Sequence, residues 1–219
     1  MSQRFTLYDD LSVKENFDFA ASLRKLDTDW YLKQRKKLLD FIGFDRSLKT
    51  VVKNLPSGIK QQVALCVALI HNPKIIFLDE PTAGVAPRAR LQFWRLIKML
   101  AENGTTVFVT THYMDEAENC GRIALMRNGQ LIVIDSPKKL KQKTFSGSVY
   151  RLQPRKKNPQ IPDLKQIDMW QPYGKNFHLH FKKGVRTTKA LQKIKSDWKI
   201  SKIKPSLEDV FIKLVEGEI

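Results

Sequence analysis

Apolar and polar positions repeat along this chain with two periods, and together they predict a layered α/β protein. Ser12-Val-Lys-Glu15 has the form of a capping box, and Phe17, Phe19–Ala20 and Leu23 give the helix behind it an apolar face. Trp30–Phe41 predicts a second amphipathic helix. Its Trp30, Leu32, Leu38, Leu39 and Phe41 are interleaved with Lys33, Arg35, Lys36 and Lys37, and Gly43 closes it as a C-cap. Lys60–His71 is apolar on most sides and reads as a buried helix stopped by Pro73. Lys74–Leu78 and Thr105–Thr111 are short apolar runs with the pattern of parallel strands buried on both faces. Between them lie a helix over Leu91–Leu100 and an Asn103-Gly104 turn. A helix from Asp115 to Asn119, a strand over Arg122–Met126, an Asn128-Gly129 hairpin turn and a strand over Leu131–Ile134 complete this region.

After Ser136 the pattern changes to that of a small α+β unit. Ser148–Leu152, Asn176–Phe181 and Lys199–Lys204 read as strands, and Thr187–Trp198 and Leu207–Val215 as helices. Phe177, Leu179 and Phe181 alternate with His178 and His180, which predicts one apolar face and solvated histidines on the other. Two histidines at i and i+2 could ligate a metal, but no carboxylate or thiol lies near them in sequence, so the solvated reading leads.

Charge sharpens the division. The chain has 219 residues with 39 Lys+Arg and 22 Asp+Glu, a net +17. Residues 1–135 carry 19 basic and 15 acidic side chains, whereas residues 136–205 carry 19 basic and 3 acidic. The excess belongs to one segment, which implies a domain boundary near Ser136–Gly147. Such a segment meets nucleic acid, an anionic membrane surface or plain solvent. It lacks aromatics interleaved for base stacking, so no nucleic-acid partner is expected. The length supports one real core or two smaller ones, and the 42% hydrophobic fraction excludes wholesale disorder. The longest apolar run, Val63–Ile70, falls far short of the ~20 residues of a membrane span. Met1-Ser-Gln-Arg shows no signal-peptide pattern. Cys66 and Cys120 have no metal or redox spacing and are expected to be small buried hydrophobes in a reducing compartment.

The strongest chemical signal is Ile75-Ile76-Phe77-Leu78-Asp79-Glu80-Pro81. A buried strand ending in two acids places both carboxylates at the edge of a parallel sheet where ligands bind, and a divalent cation is the usual compensation. Upstream, Leu55-Pro56-Ser57-Gly58-Ile59-Lys60-Gln61-Gln62 is a small, glycine-containing turn at a helix N-terminus. It is either an anion site or an ordinary turn capped by Ser57. Thr110-Thr111-His112 ends the next strand on the same edge, and Gln3 offers an amide that can ligate a cation.

In this order the residues resemble the nucleotide-binding subunit of ABC transporters, of the bacterial drug-export type. Gln3 matches the Q-loop, Leu55–Gln62 the signature motif and Ile75–Glu80 the Walker B strand. Pro81–Pro87 matches the D-loop, Thr111–Glu118 the H-loop, and Pro205-Ser206-Leu207-Glu208-Asp209-Val210-Phe211 the tail of drug-export subunits. The resemblance implies a partial P-loop NTPase fold, an ABC cassette with a helical subdomain at about 8–55 and a Walker B and H-loop core at about 56–140. A small basic α+β domain would occupy 141–219. It implies ATP and Mg²⁺ as cofactors, with Glu80 and His112 catalytic, Asp79 and Gln3 on the metal, and Ser57, Gly58 and Gln61 on nucleotide. A membrane permease subunit and a second ATPase subunit are the implied partners, at the cytoplasmic inner face of the cell membrane.

Two departures matter. No GxxxxGK[ST] phosphate loop occurs in the chain, and Ala86 stands where the D-loop usually has Asp. Pro56 and Ser57 also replace the usual Ser and first Gly of the signature. The chain is therefore expected to be either a fragment of a longer cassette or a degenerate half-partner supplying only its signature face, and not competent in hydrolysis alone. Loss of a central strand is expected to leave apolar strand edges unpaired.

Overall fold

The computed structural model describes residues 7–157, 159 and 165–215. The chain divides into two compact units, Met1–Asn119 and Cys120–Ile219.

Local sequence rules set up the helices of the first unit. α1 (Val13–Leu23) begins at the expected capping box: Ser12 Oγ accepts from Glu15 N at 3.2 Å, and Glu15 Oε2 accepts from Ser12 N at 2.7 Å. Such a cap contributes about 1 kcal/mol by satisfying helix-end donors. Val13 and Phe17 are fully buried. Asn16 is buried beside them and is satisfied, accepting from Tyr8 N at 2.8 Å and donating to Ser12 O at 3.0 Å. α2 (Thr28–Phe41) is capped by Asp27, which accepts from Trp30 N at 2.9 Å. Gly43 follows its end at φ +62°, the left-handed turn that glycine makes without steric cost. A single 3₁₀ turn (Val52–Asn54) leads to α3 (Ser57–Leu69), in which Val63, Ala64, Leu65 and Cys66 are all fully buried. Four consecutive buried residues mean a helix enclosed on every side. The Cys66 thiol donates to Leu38 O at 3.3 Å, and burial pushes its pKa up, so it is an inert packing group. Cys120 is only half-buried, so the expectation of two buried cysteines holds for one.

β1 (Ile75–Asp79) and β2 (Thr106–Thr110) pair in parallel with Asp79 opposite Thr110, and α4 (Pro87–Glu102) connects them. α4 buries Phe93, Trp94, Leu96 and Ile97, a stripe at helical spacing. A short α5 (Met114–Ala117) follows β2. The expectation that both strands are buried on two faces is wrong. Ile76 and Leu78 are buried, but Ile75, Phe77 and Phe108 are 54%, 64% and 57% exposed. The sheet is two strands wide, and the side chains on its outer face are largely exposed. An all-apolar strand reads the same whether one face is covered or two, because residue type records what a face tolerates and not what lies against it.

The second unit opens with the hairpin β3 (Ile123–Arg127) and β4 (Gln130–Asp135). Asn128 and Gly129 both have positive φ, +50° and +77°, as a type I′ turn requires. α6 (Pro137–Thr144), capped by Ser136, leads into a four-stranded antiparallel sheet. Its strands are β5 (Val149–Pro154), β6 (Ile167–Tyr173), β7 (Asn176–Phe181) and β8 (Trp198–Ile203), in the order β6-β7-β5-β8. α7 (Thr187–Ile194) and α8 (Leu207–Val215) complete the unit. β6 has no counterpart among the predicted elements. Pro172 and a register shift between Ile167 and Met169 obscure its alternation, and both are tolerated because β6 is an edge strand. Leu152, Leu179, Phe181, Ile194 and Trp198 form the core, with Trp170 packed edge-on against Trp198 at 5.7 Å between ring centroids. Gly147 has no alternative, since a Cβ there would lie 1.7 Å from Phe181 O.

The one-sided burial of β1 carries a stability prediction. Leu78→Ala is expected to cost about 2–5 kcal/mol, and Ile75→Thr to stay within about 0.5 kcal/mol. Urea denaturation midpoints of the two variants check this, and equal losses would contradict it.

Candidate nucleotide site

Asp79 and Glu80 leave the C-terminal end of β1, and His112 leaves that of β2 one residue beyond Thr111. The parallel register of Asp79 with Thr110 brings the two strand ends together. His112 Nδ1 lies 3.1 Å from Glu80 Oε1. Thr110 Oγ1 donates to Asp79 Oδ1 and accepts from Glu80 N at 3.1 Å, while Thr110 O accepts from the same N–H at 3.0 Å. Glu80 sits at φ +42°, a left-handed conformation costing on the order of 1–3 kcal/mol for a non-glycine residue. These contacts hold it there and aim its carboxylate at His112. The site is not the dry enclosure that a twice-buried strand implies: Asp79 is exposed and the His112 side chain is 56% exposed.

Below this pair lies Glu116, a residue inside the H-loop segment that the sequence does not single out. It is 2% exposed. Its carboxylate accepts from Thr82 Oγ1 at 2.5 Å and from Thr111 Oγ1 at 2.7 Å, with Arg90 Nε 3.4 Å away. The Arg90 guanidinium also stacks over the Tyr113 ring at 4.1 Å. One buried charge therefore joins the loop after β1, the loop after β2 and the first turn of α4. The available signal was a carboxylate at helical position in an otherwise buried Glu-Ala pair, which is weak without knowledge of what covers it.

The signature residues occupy the first turn of α3. Ser57 is exposed and does not cap the helix; Pro56 holds the N-cap position, with no side-chain cap. Gly58 is needed for packing, since a Cβ there would meet Ala89 Cβ at 2.7 Å, so α3 and α4 approach at this point. Gln61 is buried, and its amide donates to Pro81 O, linking α3 to the turn after Glu80. Ala86 is the N-cap of α4 and makes no side-chain cap. Gln3 lies outside the described residues.

In the second unit the prediction of solvated histidines fails. His178 and His180 are 2% and 1% exposed, covered by α8, whose Asp209 Oδ1 lies 2.8 Å from His178 Nδ1. Burial disfavours the charged form of Asp209, but its contacts with His178, His180 and Ser206 N outweigh it and hold the carboxyl well below the usual carboxylate range. The carboxylate is thirty-one residues from His178, a separation at which sequence proximity carries no information.

A family profile described as "AAA domain, putative AbiEii toxin, Type IV TA system" matches residues 2–114, more than half of the chain. The probable multidrug ABC transporter ATP-binding protein YbhF of Escherichia coli (strain K12) is 41% identical over 141 residues, covering 64% of this chain and 24% of that protein. The chain belongs to this AAA-type family. The linearmycin resistance ATP-binding protein LnrL of Bacillus subtilis (strain 168) is 32% identical over 133 residues, 60% of this chain and 43% of that protein. Among solved structures, cbiO1 from Clostridium perfringens, described as part of the ABC transporter complex cbiONQ, superposes with a TM-score of 0.57 at 29% identity. That match covers 63% of this chain and 55% of cbiO1. The structure of an ATP binding subunit of an ABC transporter, at 22% identity and a TM-score of 0.56, shares the fold. The cassette thus spans about a quarter of YbhF and under half of LnrL. Both relatives are named as ATP-binding proteins, and among the described residues of this chain no helix is long and apolar enough to cross a membrane.

Two substitutions test the local architecture. Glu116→Ala strands Arg90 and both threonines around a buried gap, and is expected to lower stability by about 3–5 kcal/mol in urea unfolding. Ala86→Asp restores an N-cap to α4 and is expected to raise stability by about 0.5–2 kcal/mol in the same assay. A neutral Glu116→Ala would remove the tie from the site.

Proposed function

We propose that the chain is the ATP-binding subunit of an ABC exporter, coupling ATP binding and hydrolysis to export through a membrane partner. The observation that carries this reading is the Glu80–His112 pair, 3.1 Å apart at the open edge of the parallel strands with Asp79 alongside. Glu80 acts as general base toward the attacking water, and His112 orients the Glu80 carboxylate and steadies the γ-phosphate. The oxygen donors at this edge, the Asp79 carboxylate and the Thr110 hydroxyl, fit a hard divalent cation. Asp79, with Gln3, would hold Mg²⁺, which when bound neutralises phosphate charge. Ser57 and Gly58 at the N-terminus of α3 face the nucleotide of a second ATPase subunit, homo- or heterodimeric. Gln61, through Pro81 O, joins that face to the turn carrying Glu80. Residues 1–140 form the cassette, with α1 and α2 toward a permease subunit, and 141–219 an accessory basic domain, at the cytoplasmic inner face of the membrane. Nucleic acid is not a partner in this reading.

No GxxxxGK[ST] loop is among the 219 residues, so the phosphate grip must be supplied from outside them. That observation, with the uncapped Ala86, favours a second reading: a half-partner lending the Ser57–Gly58 face to a complete ATPase subunit.

A chimera decides the assignment of the base. Joined behind the P-loop segment of a relative such as YbhF, the chain is expected to hydrolyse Mg-ATP. Glu80→Gln is then expected to lower kcat by about 10²–10⁴-fold while nucleotide binding persists. Undiminished turnover in that variant would reject Glu80 as the base. Under the second reading, the unfused chain raises the ATPase rate of a complete subunit, and Ser57→Arg abolishes the effect.

A further inference from the structure

The His178, His180 and Asp209 cluster lies in the second unit and plays no part in the nucleotide chemistry. β7 presents both histidines to one side because residues two apart on a strand share a face. α8 covers that side. Its Ser206 and Asp209 form a reciprocal cap: Ser206 N donates to Asp209 Oδ2 at 2.7 Å, and Asp209 N to Ser206 Oγ at 3.1 Å. Oδ2 is committed to the cap, so Oδ1 is the oxygen turned toward the sheet. There it accepts from Gln171 Nε2 at 2.6 Å, sits 2.8 Å from His178 Nδ1, and sits 3.6 Å from His180 Nε2.

The cluster has more buried polar atoms than one carboxylate satisfies. His180 Nδ1, His180 Nε2, His178 Nε2 and Gln171 Oε1 are all buried with no hydrogen-bond partner. A proton accounts for the His178–Asp209 contact alone. It leaves His180, 1% exposed and stacked on Phe145 at 4.2 Å, with neither ring nitrogen hydrogen-bonded and Nε2 held only at 3.6 Å from Asp209 Oδ1. One oxygen and two imidazole nitrogens all lie within 4.8 Å of one another. That donor set suits a borderline divalent ion of the zinc class rather than Mg²⁺ or Ca²⁺, which prefer all-oxygen cages. Metal–ligand bonds of about 2.0–2.2 Å place tetrahedral donors roughly 3.3–3.6 Å apart. The His180–Asp209 separation already matches this, and the His178–Asp209 pair has to open by about half an ångström.

We propose that His178 Nδ1, His180 Nε2 and Asp209 Oδ1 form a structural zinc-class site that clamps α8 onto the sheet of the second unit. Neutral imidazoles and an ionised carboxylate are the forms a metal requires.

The test uses the whole chain, stripped with a chelator and titrated with Zn²⁺ by calorimetry. One tight site per chain and a higher melting temperature in zinc are expected. Affinity should fall by at least about 100-fold in His180→Gln and in His178→Gln, beyond the 10–100-fold typical of outer-shell changes. A wild-type chain that neither binds Zn²⁺ nor melts higher with it overturns the proposal. So does binding unaltered in both variants, which would locate the ion elsewhere. Should the variants not fold, X-ray absorption of the zinc-loaded wild-type chain decides: two imidazoles in the ligand shell support the site, and fewer than two overturn it.

Discussion

A buried carboxylate cannot be left alone, and in the first unit that constraint falls on Glu116. Removed from water, its charge must be met by nearby donors, and it collects them from three separate segments: Thr82, Thr111 and Arg90. The loops leaving β1 and β2 are therefore not independent. The separation of Glu80 and His112 follows from where Glu116 draws those loops together. The left-handed backbone at Glu80 is a local strain sustained by Thr110, whose carbonyl and hydroxyl both accept from the Glu80 N–H.

The signature helix is coupled to this network by packing and by one amide. Gly58 lets α3 come close to Ala89 at the start of α4, and Gln61 reaches the carbonyl of Pro81 immediately after Glu80. A displacement at the N-terminus of α3 is thus felt at the turn that carries the proposed base. At the same junction the start of α4 carries no side-chain cap, since Ala86 holds the N-cap position.

The second unit solves a different problem. A four-stranded sheet with helices on both sides has two cores, one apolar around Trp198 and Phe181 and one polar around Asp209. The polar core is costly unless every donor finds an acceptor, and the unpaired imidazole nitrogens mark where it is incomplete.

Short-range chemistry was readable from the residues themselves. The Ser12–Glu15 box, the glycine after α2, the Asn128-Gly129 turn, the β7 and α8 boundaries, and the order of the acidic strand end and His112 all follow from neighbours a few positions apart. Such features depend on local hydrogen bonding and backbone preference, which a chain carries wherever it folds. Tertiary structure alone decided the rest. It bared one face of β1 and β2, buried Glu116, turned Gln61 inward, and set Asp209 between two histidines expected to face water. Each of these depends on what lies against a surface, and a hydrophobic or polar residue type specifies a preference for an environment without specifying which distant segment supplies it.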